Sequence, residues 1–390
     1  MIQQKIIYNS LKEFQESNLS DHTSISLQLN YNNLQDQEAA ILGDAIKKCV
    51  NLISIALSLN YNSIQDQGLL VLGQAFANCQ NLQDLTLVMS NNLFGEQGIS
   101  NLGQGLVKCK NLISFTLIIG SNRIGSQGAQ NLGEFLSQCQ NIKNLTLNLY
   151  YNDIGSKGAS YLGSQFGKCQ NLNNLTLNIQ ANKICNEGIN GIAQGLSKCH
   201  NLQSVNLNFL ANNIIGKGAS IICASLENCI QLSTLILDFQ LNDISDQGSI
   251  ELGNTIQKLK NLQTLALNLG QNNIGPSGAQ KLGQGLANCK NIQNLSLNLG
   301  ANKIDNEGAL GMVKDLSACN TILSLVLVLY KTQITDEIMA NLACSLATLQ
   351  KLYNLSIKLE TNDISYREKQ RFSRKIQKLK RIVKKFILFD

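Results

Sequence analysis

The stretch Lys110–Cys139 reads KNLISFTLIIGSNRIGSQGAQNLGEFLSQC, and the next, Gln140–Cys169, reads QNIKNLTLNLYYNDIGSKGASYLGSQFGKC. The two correspond at an offset of 30 residues, with no insertion or deletion. The same offset carries a leucine through positions 27, 57, 87, 117, 147, 177, 207, 237, 267, 297 and 327, followed by Ile357, so twelve copies succeed one another. Self-similarity at a fixed period signals a stacked array with one continuous core. It replaces the two or three separate domains that 390 residues would otherwise suggest.

Around each anchor the pattern is L-x-x-L-x-L-x-L-x-x-N-x-I, as in Ile142, Leu145, Leu147, Leu149, Asn152 and Ile154. Apolar residues at every second place mark a strand with one buried face. Each strand returns by a crossover, which implies parallel neighbours. The second half of the copy supplies that crossover. Leu132, Leu136 and Cys139 form one stripe of a helix. Ser126, Ser156, Asp66, Asp246 and Asp336 precede the stripe, where helix-capping residues belong. Pro276 holds the same place in its copy, and proline is tolerated at a helix start. Asn152 and its counterparts end the strands, and their amides are expected to bond backbone groups of adjacent copies.

These residues resemble the leucine-rich-repeat family, in its ribonuclease-inhibitor-like class, over roughly residues 22–365. The resemblance implies an α/β solenoid shaped as a horseshoe, with a parallel sheet on the concave side and helices on the convex side. The asparagine departs from the family spacing. It stands five residues after the third leucine, Leu147 to Asn152, rather than three. Two extra residues are expected to lengthen each strand and to account for a period of 30, where about 28 is usual.

Nine of the twelve cysteines share one register: Cys49, Cys79, Cys109, Cys139, Cys169, Cys199, Cys229, Cys289 and Cys319. Leu259 takes that place in another copy, so the site is buried and apolar, and the thiols are structural. No Cys/His spacing suits a metal, and no cofactor is expected. Phosphate loops, kinase signatures, zinc-protease and nucleophile-elbow motifs are absent, and the only histidines are His22 and His200. The chain reads as non-enzymatic. The first residues lack a secretory core and no apolar run approaches a membrane span, which leads to an expectation of a cytoplasmic protein.

Residues 1–21 lack the motif, and Ile6, Ile7, Leu11, Phe14 and Leu19 suggest an amphipathic N-terminal cap. Residues 22–365 are the repeats. Residues 366–390 carry ten Lys or Arg against two acids (+8), whereas the rest has 22 bases and 24 acids (−2). Phe372, Ile376, Leu379, Val383 and Phe386 form a helical stripe in this tail. The first three are also in register with the repeat helices, and Ile387 with the leucine anchor. A capping helix and degenerate strand are therefore favoured over a dedicated contact with a membrane surface or nucleic acid.

The strand residues that face away from the core are the candidate contact surface. One row holds Thr86, Thr116, Thr146, Thr176 and Val326. The next holds Val88, Ile118, Asn148, Asn178, Asn208, Asp238, Asn268, Asn298 and Val328, and a third contains Tyr150 and Tyr330, with Tyr151 adjacent. Eleven steps of about 4.8 Å span about 50 Å, room for a protein domain rather than a metabolite. The rows are nearly neutral and Arg123 is the only arginine before Arg367, which argues against nucleic acid as their ligand. A scaffold binding another protein is the favoured function. The alternative is a regulator of an enzyme, such as a small-GTPase-activating protein or a ribonuclease-inhibitor-like inhibitor.

Overall fold

The computed structural model describes residues 5–389, in two compact units, Met1–Leu202 and Gln203–Asp390. The first contains β1 (Ile6–Tyr8), β2 (Ser24–Gln28), β3 (Ser54–Ser58), β4 (Asp84–Val88), β5 (Ser114–Ile118), β6 (Asn144–Asn148) and β7 (Asn174–Asn178). Its helices are α1 (Leu11–Gln15), α2 (Asp36–Lys48), α3 (Asp66–Phe76), α4 (Glu96–Leu106), α5 (Gly125–Gln138), α6 (Gly155–Phe166) and α7 (Cys185–Leu196). The second contains β8 (Ser204–Asn208), β9 (Thr234–Asp238), β10 (Thr264–Asn268), β11 (Asn294–Asn298), β12 (Ser324–Val328), β13 (Asn354–Lys358) and β14 (Lys384–Leu388). Its helices are α8 (Gly218–Ser225), α9 (Ser245–Ile256), α10 (Pro276–Ala287), α11 (Asp305–Leu316), α12 (Asp336–Thr348) and α13 (Tyr366–Gln377).

Within each unit the strands lie in chain order and all pairs are parallel. The repeat partners are 30 residues apart, Leu145 beside Leu175 and Leu265 beside Leu295. Leu145, Leu147 and Leu149 are buried while Thr146 and Asn148 between them are half-exposed. One face of the sheet thus lies under the helices and the other remains open.

The repeat strands β2 to β14 are five residues long, so the two extra residues do not extend them as expected. They carry the hydrogen-bond ladder instead: Leu149 N–H donates to Asn178 O (2.7 Å) and Tyr151 N–H to Gln180 O (3.1 Å). At the second of these places the backbone is left-handed. The residue before the asparagine (before Thr332 in one copy), from Tyr31 to Thr361, has φ between 50° and 58° in all twelve copies, and none is glycine. This conformation costs roughly 1–2 kcal/mol for a residue with a side chain. It is held by the ladder bond just described and by the asparagine that follows.

The asparagines form the expected ladder. The Asn152 amide nitrogen donates to Ile119 O of the preceding copy (2.9 Å) and to Leu149 O of its own (3.1 Å). Its oxygen accepts from Asn122 N–H (3.1 Å), and Asn122 repeats the pattern one copy earlier. A buried amide is stable here because both ends are satisfied by backbone. Thr332 replaces asparagine in one copy. It is fully buried, and its hydroxyl donates to Leu329 O (2.8 Å).

Helix capping differs from the sequence reading. Asp66 is the first residue of α3, and its Oδ1 accepts from Gly95 N–H (2.7 Å) and Gly98 N–H (2.9 Å) at the start of α4. Asp36 does the same for Gln65 and Gly68, and Asp246 for Gly275 and Gly278. Asp336 accepts from Ser365 N–H at the start of α13. Each carboxylate therefore caps the helix of the next copy, opposite the positive end of its dipole. Ser126 and Ser156 lie inside the first turns of α5 and α6 rather than before them. Pro276 does occupy the first position of α10.

The nine in-register cysteines are buried, and several thiols reach a carbonyl at the end of the preceding copy's helix. Cys109 Sγ lies 3.3 Å from Phe76 O, and Cys199 Sγ 3.2 Å from Phe166 O. Burial, and after it the next thiol in the row, push the thiols of Cys79, Cys109 and Cys289 up to about 12.

At the amino-terminal end Ile6 and Ile7 are exposed, and the buried residues are Tyr8, Phe14 and His22. Tyr8 pairs with Leu27, only 19 residues away, which places it in the anchor register. At the other end Phe372 and Ile376 are buried, but the helix stops at Gln377. Val383 and Phe386 fall outside it and are 64% and 52% exposed, so the helical stripe does not continue through them.

Candidate functional site

The open face is built by alternate residues of each strand. In the first unit it presents Thr86, Thr116, Thr146 and Thr176 in one row and Val88, Ile118, Asn148 and Asn178 in the next, all half-exposed. In the second it presents Asn208, Asp238, Asn268, Asn298 and Val328, beside Val326 and Tyr330. Their even exposure follows from the constant register.

Many of the polar residues in this surface are engaged by their own backbone. Asn178, Asn208, Asp238, Asn268 and Asn298 each accept, through Oδ1, the N–H two residues on, at 2.9–3.1 Å. Asn268 also donates to Asp238 Oδ2 and Gln240 Oε1, both at 3.1 Å. Near the amino terminus the same strand-end donor is met by a neighbouring copy: Asn30 accepts from Asn60 N–H, and Asn60 from Ser90 N–H, both at 2.8 Å. These side chains finish strands, which reduces what they can offer a ligand. Asn148 differs, because its Oδ1 is buried without a hydrogen-bond partner among the described residues.

Two aromatic shelves interrupt the polar rows. The Tyr150 ring lies over Gly120 so closely that a Cβ there would stand 2.0 Å from Tyr150 Cε1. Tyr330 covers Gly300 in the same way, again at 2.0 Å. Glycine is required beneath each ring, because any side chain would lift it. Ile118 and Asn148 flank the first shelf, Val326 and Val328 the second. Tyr151 is 59% exposed, at a left-handed position, with its ring edge-on to Tyr150 at 6.0 Å.

Sequence reasoning passed over Gly120 and Gly300, although each stands 30 residues before its tyrosine. It also passed over Tyr31 and Tyr61, whose exposed rings stack at 4.4 Å and 7°. Phe386 and Leu388 were missed too: they pair with Ser356 and Lys358 and so continue two of the open rows onto β14. Arg123 is exposed beyond the strand end, away from these rows. Among the described residues no group of three or more His, Cys, Asp or Glu is placed to hold a metal ion, and no helix is long and apolar enough to cross a membrane.

The repeated strand, left-handed turn and helix define an α/β solenoid. The family described as a leucine-rich repeat matches residues 141–163 and 261–283. A solved structure of the Rad7 and Elc1 complex in yeast contains a similar chain, with a TM-score of 0.53 and 17% identity over 85% of this chain and 77% of that one. No curated protein matches. The two matched copies, the structural likeness, the repeat register and the parallel strands together give the chain a leucine-rich-repeat type of solenoid fold.

Proposed function

We propose that the chain is a scaffold that binds another protein against the open face of its sheet. The observation that carries this reading is the pair of tyrosine shelves. Tyr150 over Gly120 and Tyr330 over Gly300 are flat, partly exposed aromatic surfaces, each beside aliphatic residues, within otherwise polar rows. Aromatic side chains held rigidly in such settings are the usual anchors of protein interfaces. The similar chain from yeast belongs to a complex of two proteins, which fits the same use. Regulation of an enzyme would be one outcome of such binding, and a cytoplasmic location remains part of this proposal.

The test is affinity capture from a native extract with the intact chain and with Tyr150→Glu, Tyr330→Glu and Val328→Glu variants. A partner retained by the intact chain and released by the charge variants supports the reading. A partner held equally by all of them overturns it.

A further inference from the structure

Leu323, Tyr353 and Val383 stand one before the first residues of β12, β13 and β14. They are in register: Tyr353 N–H donates to Leu323 O (2.8 Å), and Val383 N–H to Tyr353 O (2.9 Å). All three are exposed, by 39%, 47% and 64%. The fold does not need apolar residues here, since the same place is Gln203, Ser233, Gln263 and Gln293 in the four preceding copies of the unit. Single exposed apolar residues are ordinary, but three on consecutive rungs make a ridge.

Cations surround the ridge. Lys351, Lys378, Lys380 and Lys384 lie within a few residues of it and are exposed. Of the acids from residue 315 to residue 389, Asp336, Glu337, Glu360, Asp363 and Glu368 lie at the opposite, strand-exit and helix-start end of their copies, and Asp315, in the last turn of α11 beside Lys314, is the one at the ridge end. The nearby arginines are engaged. Arg371 pairs with Glu368 (2.6 Å), Arg374 donates to Gln370 (3.1 Å), and Arg381 donates to the Leu349 and Ala347 carbonyls at the end of α12.

We propose that this rim of the second unit docks on an anionic lipid bilayer, with Leu323, Tyr353 and Val383 in the headgroup layer and the four lysines against the lipid charges. The available cations are lysines, compact point charges suited to lipid headgroup phosphates and carboxylates. Three apolar side chains fall far short of the roughly 20–30 residues per side of a stable protein interface. A tyrosine among aliphatics and lysines matches the composition of the bilayer interface. This surface is separate from the open sheet face.

The test is flotation of the purified chain with vesicles of phosphatidylcholine alone and of phosphatidylcholine enriched in phosphatidylserine. Binding is expected only to the anionic vesicles and should weaken with salt. Each Lys→Gln change at 380 or 384 should lower partitioning about fivefold, the equivalent of about 1 kcal/mol per charge. Tyr353→Ser with Val383→Ser should weaken binding further, while Ile230→Ser, an exposed apolar control, should not. Circular dichroism confirms that each variant is folded. Absence of flotation, equal flotation with both vesicles, or indifference to the lysine changes overturns the proposal. Retention of single-stranded RNA or an acidic peptide in place of the vesicles overturns it as well.

Discussion

Asn302 and Thr332 occupy the same place in successive copies and can be exchanged as an internal experiment on the ladder. Asn302 accepts from Asn272 N–H (2.9 Å) and Ile274 N–H (3.0 Å) and donates to Leu269 O (2.8 Å) and Leu299 O (2.9 Å). Thr332 shows what a hydroxyl achieves in this setting, a short bond to the carbonyl three residues back. Asn302→Thr therefore forfeits the two accepted bonds and the donation to Leu269 O. At about 1 kcal/mol for each lost bond, the cost is about 3 kcal/mol, and more if the buried N–H groups find no water. Thr332→Asn restores acceptors to Asn302 N–H and Ile304 N–H and should stabilise by about 1–2 kcal/mol. The assay is urea unfolding followed by circular dichroism. Amide exchange at residues 272 and 274 is measured alongside, because repeat arrays can open in parts. A loss below about 1 kcal/mol in Asn302→Thr, with amide protection unchanged, would show that the ladder bonds contribute little beyond packing.

Four further outcomes are expected. Asp246→Ala should cost about 1–2 kcal/mol in urea unfolding, since two N–H groups at the start of α10 lose their acceptor. Gly300→Ala should displace the Tyr330 ring, change the near-ultraviolet dichroism, and weaken any partner that Tyr330→Ser also weakens. Alkylation of the native chain should label Cys344 first and Cys185 more slowly, because the other ten cysteines are buried; mass spectrometry reads the sites. Burial holds the His22 imidazole below its ordinary range, with the neighbouring Asp21 charge opposing the shift. The unfolded chain therefore takes up the proton first, so the stability this group contributes is present above about pH 6.5 and is lost as pH falls below it. Protection of the β1–β2 amides should decline as pH falls below about 6.5 in the native chain and not in His22→Phe.

Much of this fold could be read from the letters because each copy restates the same buried stripe. The leucine anchors, the asparagine ladder and the cysteine register all depend on burial, and burial restricts residue type. β1 escaped notice because Tyr8 lies 19 residues from Leu27, outside the period, and is not aliphatic. The left-handed turn was invisible for a different reason. Tyr31, Ala181, Leu241 and Lys331 share no chemistry, since the turn is enforced by the bonds around it rather than by the residue. The aspartates were assigned to their own helices because spacing along one copy cannot reveal a cap delivered to the next. Gly120 and Gly300 mark the shelves by having no side chain, a signal seen only when adjacent copies are laid side by side.

The asparagine ladder also limits how such a chain can change length. Each ladder amide ties a carbonyl 33 residues back to one three residues back, so a residue added between a strand and its asparagine would break both ties at once. Duplication of a whole copy preserves every tie. The period, unbroken through twelve copies, agrees with that constraint: whole steps are added or dropped more readily than this part of a step is lengthened.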